Sequence, residues 1–182
     1  MNLDEITHWK PFQPPEGDEI DLSYLDAHQV TYTHSAPGKA DIIYNFWVTY
    51  SFHCFAKDYP EKCPVEQASL MYHAPKESRP FCYRRYELSK LHLRNIIENL
   101  GSPKTRVSHA QRASYAAVEL IDESGDTIWY YVPFRVYKEK KKFRIHVTSA
   151  YPLDERPGGG KVGFFKIANN LRKGKKLPEP QK

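Results

Sequence analysis

From Ile42 to Phe55 the chain alternates. Ile42, Tyr44, Phe46, Val48, Tyr50, Phe52 and Cys54 fall on one side, and Asn45, Thr49, Ser51 and His53 fall on the other with Trp47. A period of two held over so many residues belongs to a strand with one buried face, because successive strand side chains point to opposite faces. The Thr/Tyr/Val run before it, His28–Ser35, ends at Ala36-Pro-Gly-Lys39, so the two runs read as a hairpin.

Three more strands are spaced as a meander: Ser114–Ile121, Thr127–Tyr137 and Lys142–Tyr151. The turns between them are Asp122–Asp126, with Gly125 able to take positive φ, and the charged Lys138–Lys141. Before the meander, Leu93, Ile96, Ile97 and Leu100 recur at helical spacing, with Ser89 as N-cap and Gly101 then Pro103 as the stop. Ser102–Arg112 reads as a polar linker, and Val162–Ala168, after the glycine hinge at Pro157–Gly160, as a last short strand. The fold class is therefore α+β: a twisted antiparallel sheet, built from an N-terminal hairpin and a three- to four-strand meander, packed on one main helix. Residues 1–25 read as an irregular acidic lead-in, 26–170 as a single domain, and 171–182 as a basic, disordered tail. Within the domain, 57–80 is a long loop punctuated by Pro60, Pro64, Pro75 and Pro80, with a helical turn near Glu66–Met71.

With 182 residues, the chain suits one domain. No apolar run approaches the ~20 residues that cross a bilayer, and the N-terminus lacks a secretory layout, which makes the cytoplasm the expected compartment. Cys54, Cys63 and Cys82 are too few and too unevenly spaced for a disulfide framework. No CxxC or HxxxH spacing marks a metal centre, and no phosphate loop, GxGxxG or GxSxG motif occurs, so neither metal nor cofactor is expected.

The net charge of +5 conceals an asymmetry. Residues 1–80 hold 6 Lys and Arg against 12 Asp and Glu, whereas residues 81–182 hold 21 against 10. A basic second half points to a polyanionic partner, with RNA first to test; the plain alternative is charge for solubility.

The richest cluster is Lys142-Phe-Arg-Ile-His-Val-Thr-Ser-Ala-Tyr151. Alternation sends Phe143, Ile145 and Val147 to the core and sets Arg144, His146 and Thr148 in a row on the solvent face. On the neighbouring strand Trp129, Tyr131, Arg135 and Tyr137 form the more polar face. If the two faces coincide, Arg, His, Thr and Tyr cover one side of the sheet. Such a set matches metal-free RNA cleavage. A base takes the ribose 2′-OH proton, an acid protonates the leaving oxygen, cations hold the phosphorane, and aromatic rings stack unpaired bases. A solvent-facing strand with no catalytic role also reads Arg-x-His-x-Thr. Phe81-Cys-Tyr-Arg-Arg-Tyr86 places Arg84, Arg85 and Tyr86 before the expected helix start, where a phosphate is favoured; the alternative is pairing with Glu87. His53 is a candidate second proton carrier or a structural histidine.

The helix before an antiparallel meander, the late strand Arg144-Ile-His-Val-Thr-Ser-Ala-Tyr151-Pro152 and the basic closing segment Lys161–Ile167 resemble the barnase–EndoU–colicin–RelE group of metal-independent ribonucleases, which includes many toxins. The resemblance spans roughly residues 85–170. It implies a toxin-like endoribonuclease leaving a 2′,3′-cyclic phosphate. His146 would be general base or acid, and Arg144 and Arg84 would stabilise phosphate charge. Thr148 and Tyr151 would position substrate, and Tyr131 or Tyr137 would stack a base, with Arg135 and Lys142 adding to RNA binding. It also implies a neutralising antitoxin protein. The competing reading is a non-catalytic module of a phage or mobile element that binds nucleic acid or a host protein.

Overall fold

A computed structural model describes residues 6–59, 61–110, 114–123 and 126–180. Its centre is a seven-stranded sheet. The hairpin forms as its alternation predicts: β1 (His28–His34) pairs antiparallel with β2 (Ile42–Tyr50) from His28↔Val48 to His34↔Ile42. Gly38 takes a positive φ of 70° in the connecting turn, and Lys39 N–H bonds Ala36 O at 3.1 Å. A short 3₁₀ turn, Phe52–Cys54, follows β2 where the alternation alone would have continued the strand.

A helical turn α1 (Pro64–Ser69) and a small hairpin, β3 (Met71–His73) with β4 (Ser78–Pro80), occupy the segment read as loop. Its prolines bracket elements instead of breaking them, Pro64 at the first helical position and Pro80 at a strand end. α2 (Tyr83–Leu88), a π-helical turn (Ser89–Leu93) and α3 (Arg94–Glu98) then run on as one helix. Ser89 is thus not the N-cap. The helix begins six residues earlier, because Cys82 N–H is anchored on Phe55 O at 2.7 Å and starts the turn there. Ser89 is buried inside the helix, sharing a 2.5 Å hydrogen bond with the Tyr24 hydroxyl.

The meander is present as β6 (Ser114–Glu123), β7 (Asp126–Glu139), β8 (Lys142–Val147) and β9 (Tyr151–Leu153); the turn with Gly125 lies outside the described residues. The polar linker is a strand as well. β5 (Arg106–Ala110) pairs with β6 and buries Val107 and Ser108, so the polar residues that disguised it are partly covered. Strand order is β1-β2-β8-β7-β6-β5, and β9 continues the β8 edge of β7. The hairpin and meander are joined through β2 and β8, the one parallel pairing among the named strands. β8 has a neighbour on each side, and Ile145 and Val147 are fully buried on its core face.

One face of the sheet is apolar and carries the helices. Tyr32 donates to Ile97 O, and Tyr32 and Phe46 meet Phe164 at 4.5 and 5.8 Å. Phe164 opens α4 (Phe164–Arg172), the helix found where a last strand was expected. Phe164, Ile167, Ala168 and Leu171 are buried at i, i+3, i+4 and i+7, a stripe that a short apolar run conceals. The segment after α4 is docked rather than loose: Pro178 O accepts from the Tyr115 hydroxyl at 2.9 Å, and Leu177 packs on the core. The acidic lead-in has little regular structure, yet Trp9, Phe12, Leu22 and Leu25 lie in the core. Phe12 stacks on Phe81 at 4.3 Å. No helix among the described residues is long and apolar enough to cross a membrane.

Candidate functional site

The second face of the sheet carries the candidate site. The registers Trp47↔Arg144, Tyr137↔Arg144, Thr49↔His146 and Arg135↔His146 set these side chains on one face, with Tyr131 and Tyr151 opposite each other farther along β7. The polar faces of β7 and β8 therefore do coincide. What differs is cover along the row. Arg144 is half-buried and bonds Glu139 at 3.2 Å. His146 is only 5% exposed, its Nδ1 2.9 Å from Thr49 Oγ1, so it does not stand in solvent as the alternation implied. Alternation selects a face but says nothing of what else reaches it, and here Trp9 and the β3–β4 turn line one cavity with His146. The Thr148 hydroxyl donates to Pro133 O at 3.1 Å, continuing the ladder between β8 and β9.

Two concavities result. The wider is a groove of about 710 Å³. Trp47 forms part of its wall, with Arg144, Lys142 and Lys141 along one side and Gln29 and Asn45 along the other. Lys140 and Lys141 take φ of 45° and 67° at the β7–β8 turn, a left-handed pair that Asn-Gly would occupy more readily. Two lysines are held in strained backbone beside the groove.

The second is a cavity of about 220 Å³ into which His146 faces from β8. His53 lines it too, presented by the 3₁₀ turn whose cap is Ser51. Its ring lies 4.3 Å from that of Phe52, and Nε2 is 4.0 Å from Glu77 Oε2. Burial, with Arg79 next in weight, holds the His53 pKa below the usual imidazole value despite Glu77, so the ring is neutral near pH 7. Glu77 is itself held by Arg79, at 2.6 Å from Nη2, and Arg79 also pairs with Asp58. The structure thus brings His53 and His146 to one cavity, which their separation of 93 positions conceals.

The Arg84–Tyr86 cluster does not assemble as a phosphate site. Arg85 Nη1 donates to the carbonyls of Ala56 and His53 at 2.9 and 3.2 Å, and its guanidinium lies 5.2 Å from the Tyr151 ring. Tyr86 packs against Tyr24 and Phe81. Arg84 is exposed in the first turn of α2. Tyr131 and Tyr151 meet edge to face at 5.5 Å. Trp129, on the same face of β7, lies 5.4 Å from the Arg156 guanidinium. Trp47, Gln29 and Asn45 were missed as site residues. The available signal was a tryptophan on the polar side of an alternating strand.

No solved structure gives a significant match to this chain. Protein YjaZ of Escherichia coli (strain K12) is 52% identical over 178 residues, which cover 98% of each of the two chains. The model of the YjaZ family matches residues 6–172, all but the two ends of the sequence, and so the chain belongs to the YjaZ family.

Proposed function

We propose that this protein binds single-stranded RNA along the second face of its sheet. The observation that carries the reading is the groove: an aromatic wall at Trp47 between three cationic side chains and two carboxamides. Single-strand binders combine those parts, since a ring stacks any base, cations follow the backbone and amides meet base edges. The aromatic and basic surface extends along β7 through Tyr137, Arg135, Tyr131 and Trp129.

Titration of a labelled single-stranded RNA tests it. Trp47→Ala weakens binding by about 1–3 kcal/mol, the worth of one stacked base, and Lys142→Ala lowers the salt dependence. Equal affinity in wild type and Trp47→Ala refutes the reading.

Cleavage of the bound strand is a second reading, favoured by one observation: His53 and His146 line a single cavity on the same face. The half-exposed, neutral His53 then takes the 2′-OH proton as the new P–O bond forms, Lys76 meets the phosphate charge, water protonates the 5′ oxygen as its bond to phosphorus breaks, and the buried His146 orients the site. It keeps the ribonuclease chemistry but moves the proton-transfer role expected of His146 to His53. Incubation with RNA in EDTA decides it: loss of cleavage in His53→Ala with binding retained supports the enzyme, and intact RNA with wild type removes it.

A further inference from the structure

The cavity has a chemistry of its own. Ile6, Trp9, Phe52 and Pro75 give it apolar and aromatic walls, while polar groups sit at its inner end, in His146, and near its mouth, in His53, Lys76 and Glu77. The fixed charges that line it are balanced, Lys76 against Glu77, and Glu77 is itself paired with Arg79, so neither a cation nor an anion is selected by charge alone. The Trp9 indole serves the cavity as an apolar wall, since its Nε1 is itself buried and has no hydrogen-bond partner among the described residues. At about 220 Å³ the space is smaller than the roughly 300–1,000 Å³ of sites for drug-sized molecules. It suits one ring system and excludes a whole oligonucleotide.

An occupant must therefore be flat, apolar on its faces, neutral, and equipped with acceptors and donors around its edge. We infer that the cavity is a binding site for a single nucleobase, with the ring against the aromatic walls of Trp9 and Phe52 and its edge toward His146 and His53. The inference rests on the RNA reading only for the source of the base. Arg144 lines the groove and His146, two residues on, lines the cavity, on the same face and about 7 Å apart at their side-chain bases. A strand lying in the groove reaches the cavity with its next nucleotide, which makes this the position where base identity is read. A free nucleoside presents the same ring.

Calorimetric titration of the full chain with adenosine, guanosine, cytidine and uridine, and with the four homopolymeric oligoribonucleotides, tests the inference. Ala74 lines the cavity and is half-buried, so Ala74→Phe fills the space from the loop side. Trp9→Phe keeps an aromatic ring but shortens the indole wall of the cavity, and serves should Ala74→Phe fail to fold. Wild type is expected to bind one nucleoside in preference to the others and to favour the homopolymer of that base. Both variants lose that preference by about tenfold or more, while Lys142→Ala keeps nucleoside binding and loses oligonucleotide affinity. Nucleoside binding sensitive to Ala74→Phe without RNA binding leaves the site standing, with free nucleoside as its ligand, and refutes the RNA reading. RNA binding that depends on Trp47 but shows no base preference, with no nucleoside bound, overturns the base site and leaves the RNA reading intact. Nucleoside binding unchanged in both cavity variants also overturns it.

Discussion

His146 shows what a single residue decides. Its Nδ1 is paired with Thr49 Oγ1 where both residues are buried, and a buried polar atom stripped of its partner costs about 1–3 kcal/mol. Thr49→Val should lower the unfolding free energy by an amount in that range, and Thr49→Ser, which keeps the hydroxyl, by clearly less; urea melts compare them. Equal loss in both would assign the effect to packing. The histidines also give stability a pH dependence. His53 and His28 both titrate below the ordinary imidazole value, chiefly through burial, with Arg79 next at His53 and Arg94 at His28. The unfolded chain binds their protons near about pH 6.5 and the folded chain only at lower pH. Their contribution is therefore complete above that value and is lost as pH falls through it toward the folded values. The urea midpoint should drop between about pH 7.5 and about pH 5.5. His53→Gln should flatten the change, and an unaltered slope in that variant would separate His53 from the effect. The sequence showed which face of β8 holds His146. It could not show that Trp9, 137 positions earlier, lies across the same cavity.

Among elements, the β7–β8 turn is locally wrong for its conformation. Lys140 and Lys141 lie in the left-handed region, where side chains with a Cβ are disfavoured and type I′ turns take Asn-Gly. Replacing them together by Asn and Gly should stabilise the fold by about 1–2 kcal/mol and weaken RNA binding. Calorimetric melting and RNA titration read the two effects, and a destabilised variant would show that the lysines hold contacts worth more than the strain. The β5 edge depends on a glycine. Gly159 has a φ of 117°, and a Cβ there would meet His109 O at 2.4 Å, so Gly159→Ala should open the 158–162 segment that pairs with β5. Faster amide exchange at His109 and Val162, whose N–H groups bond Gly160 O and Val107 O, is the expected sign. β1, β2, β7 and β8 were legible because a period of two survives over six or more residues, whereas β6, buried from Ser114 to Val118 without a break, was marked by the turn that follows it. β5 and α4 were not. Arg106–Ala110 is short and polar, and in Val162–Ala168 adjacent apolar residues satisfy either period until Leu171 extends the helical one.

For the whole molecule, the charge imbalance along the chain does not become two lobes. β1 and β2 come from the acidic half, yet β2 lies beside β8 from the basic half, and their shared face forms the groove. Affinity for RNA should therefore fall steeply with salt, and Lys142→Ala should reduce the slope of log K against log salt by about 0.7, one single-strand phosphate contact; a slope unchanged by salt would point to a purely stacked complex. Alternation and turn chemistry act over neighbouring residues, so the amino-acid order was enough for the α+β class, the hairpin, the meander strands and the faces of β2, β7 and β8. Folding adds that β2 and β8 run parallel and adjacent, and that Trp9 and His53 share a cavity with His146. These depend on which apolar surfaces find one another across 90 or more positions, and surface burial carries no local signature of its partner.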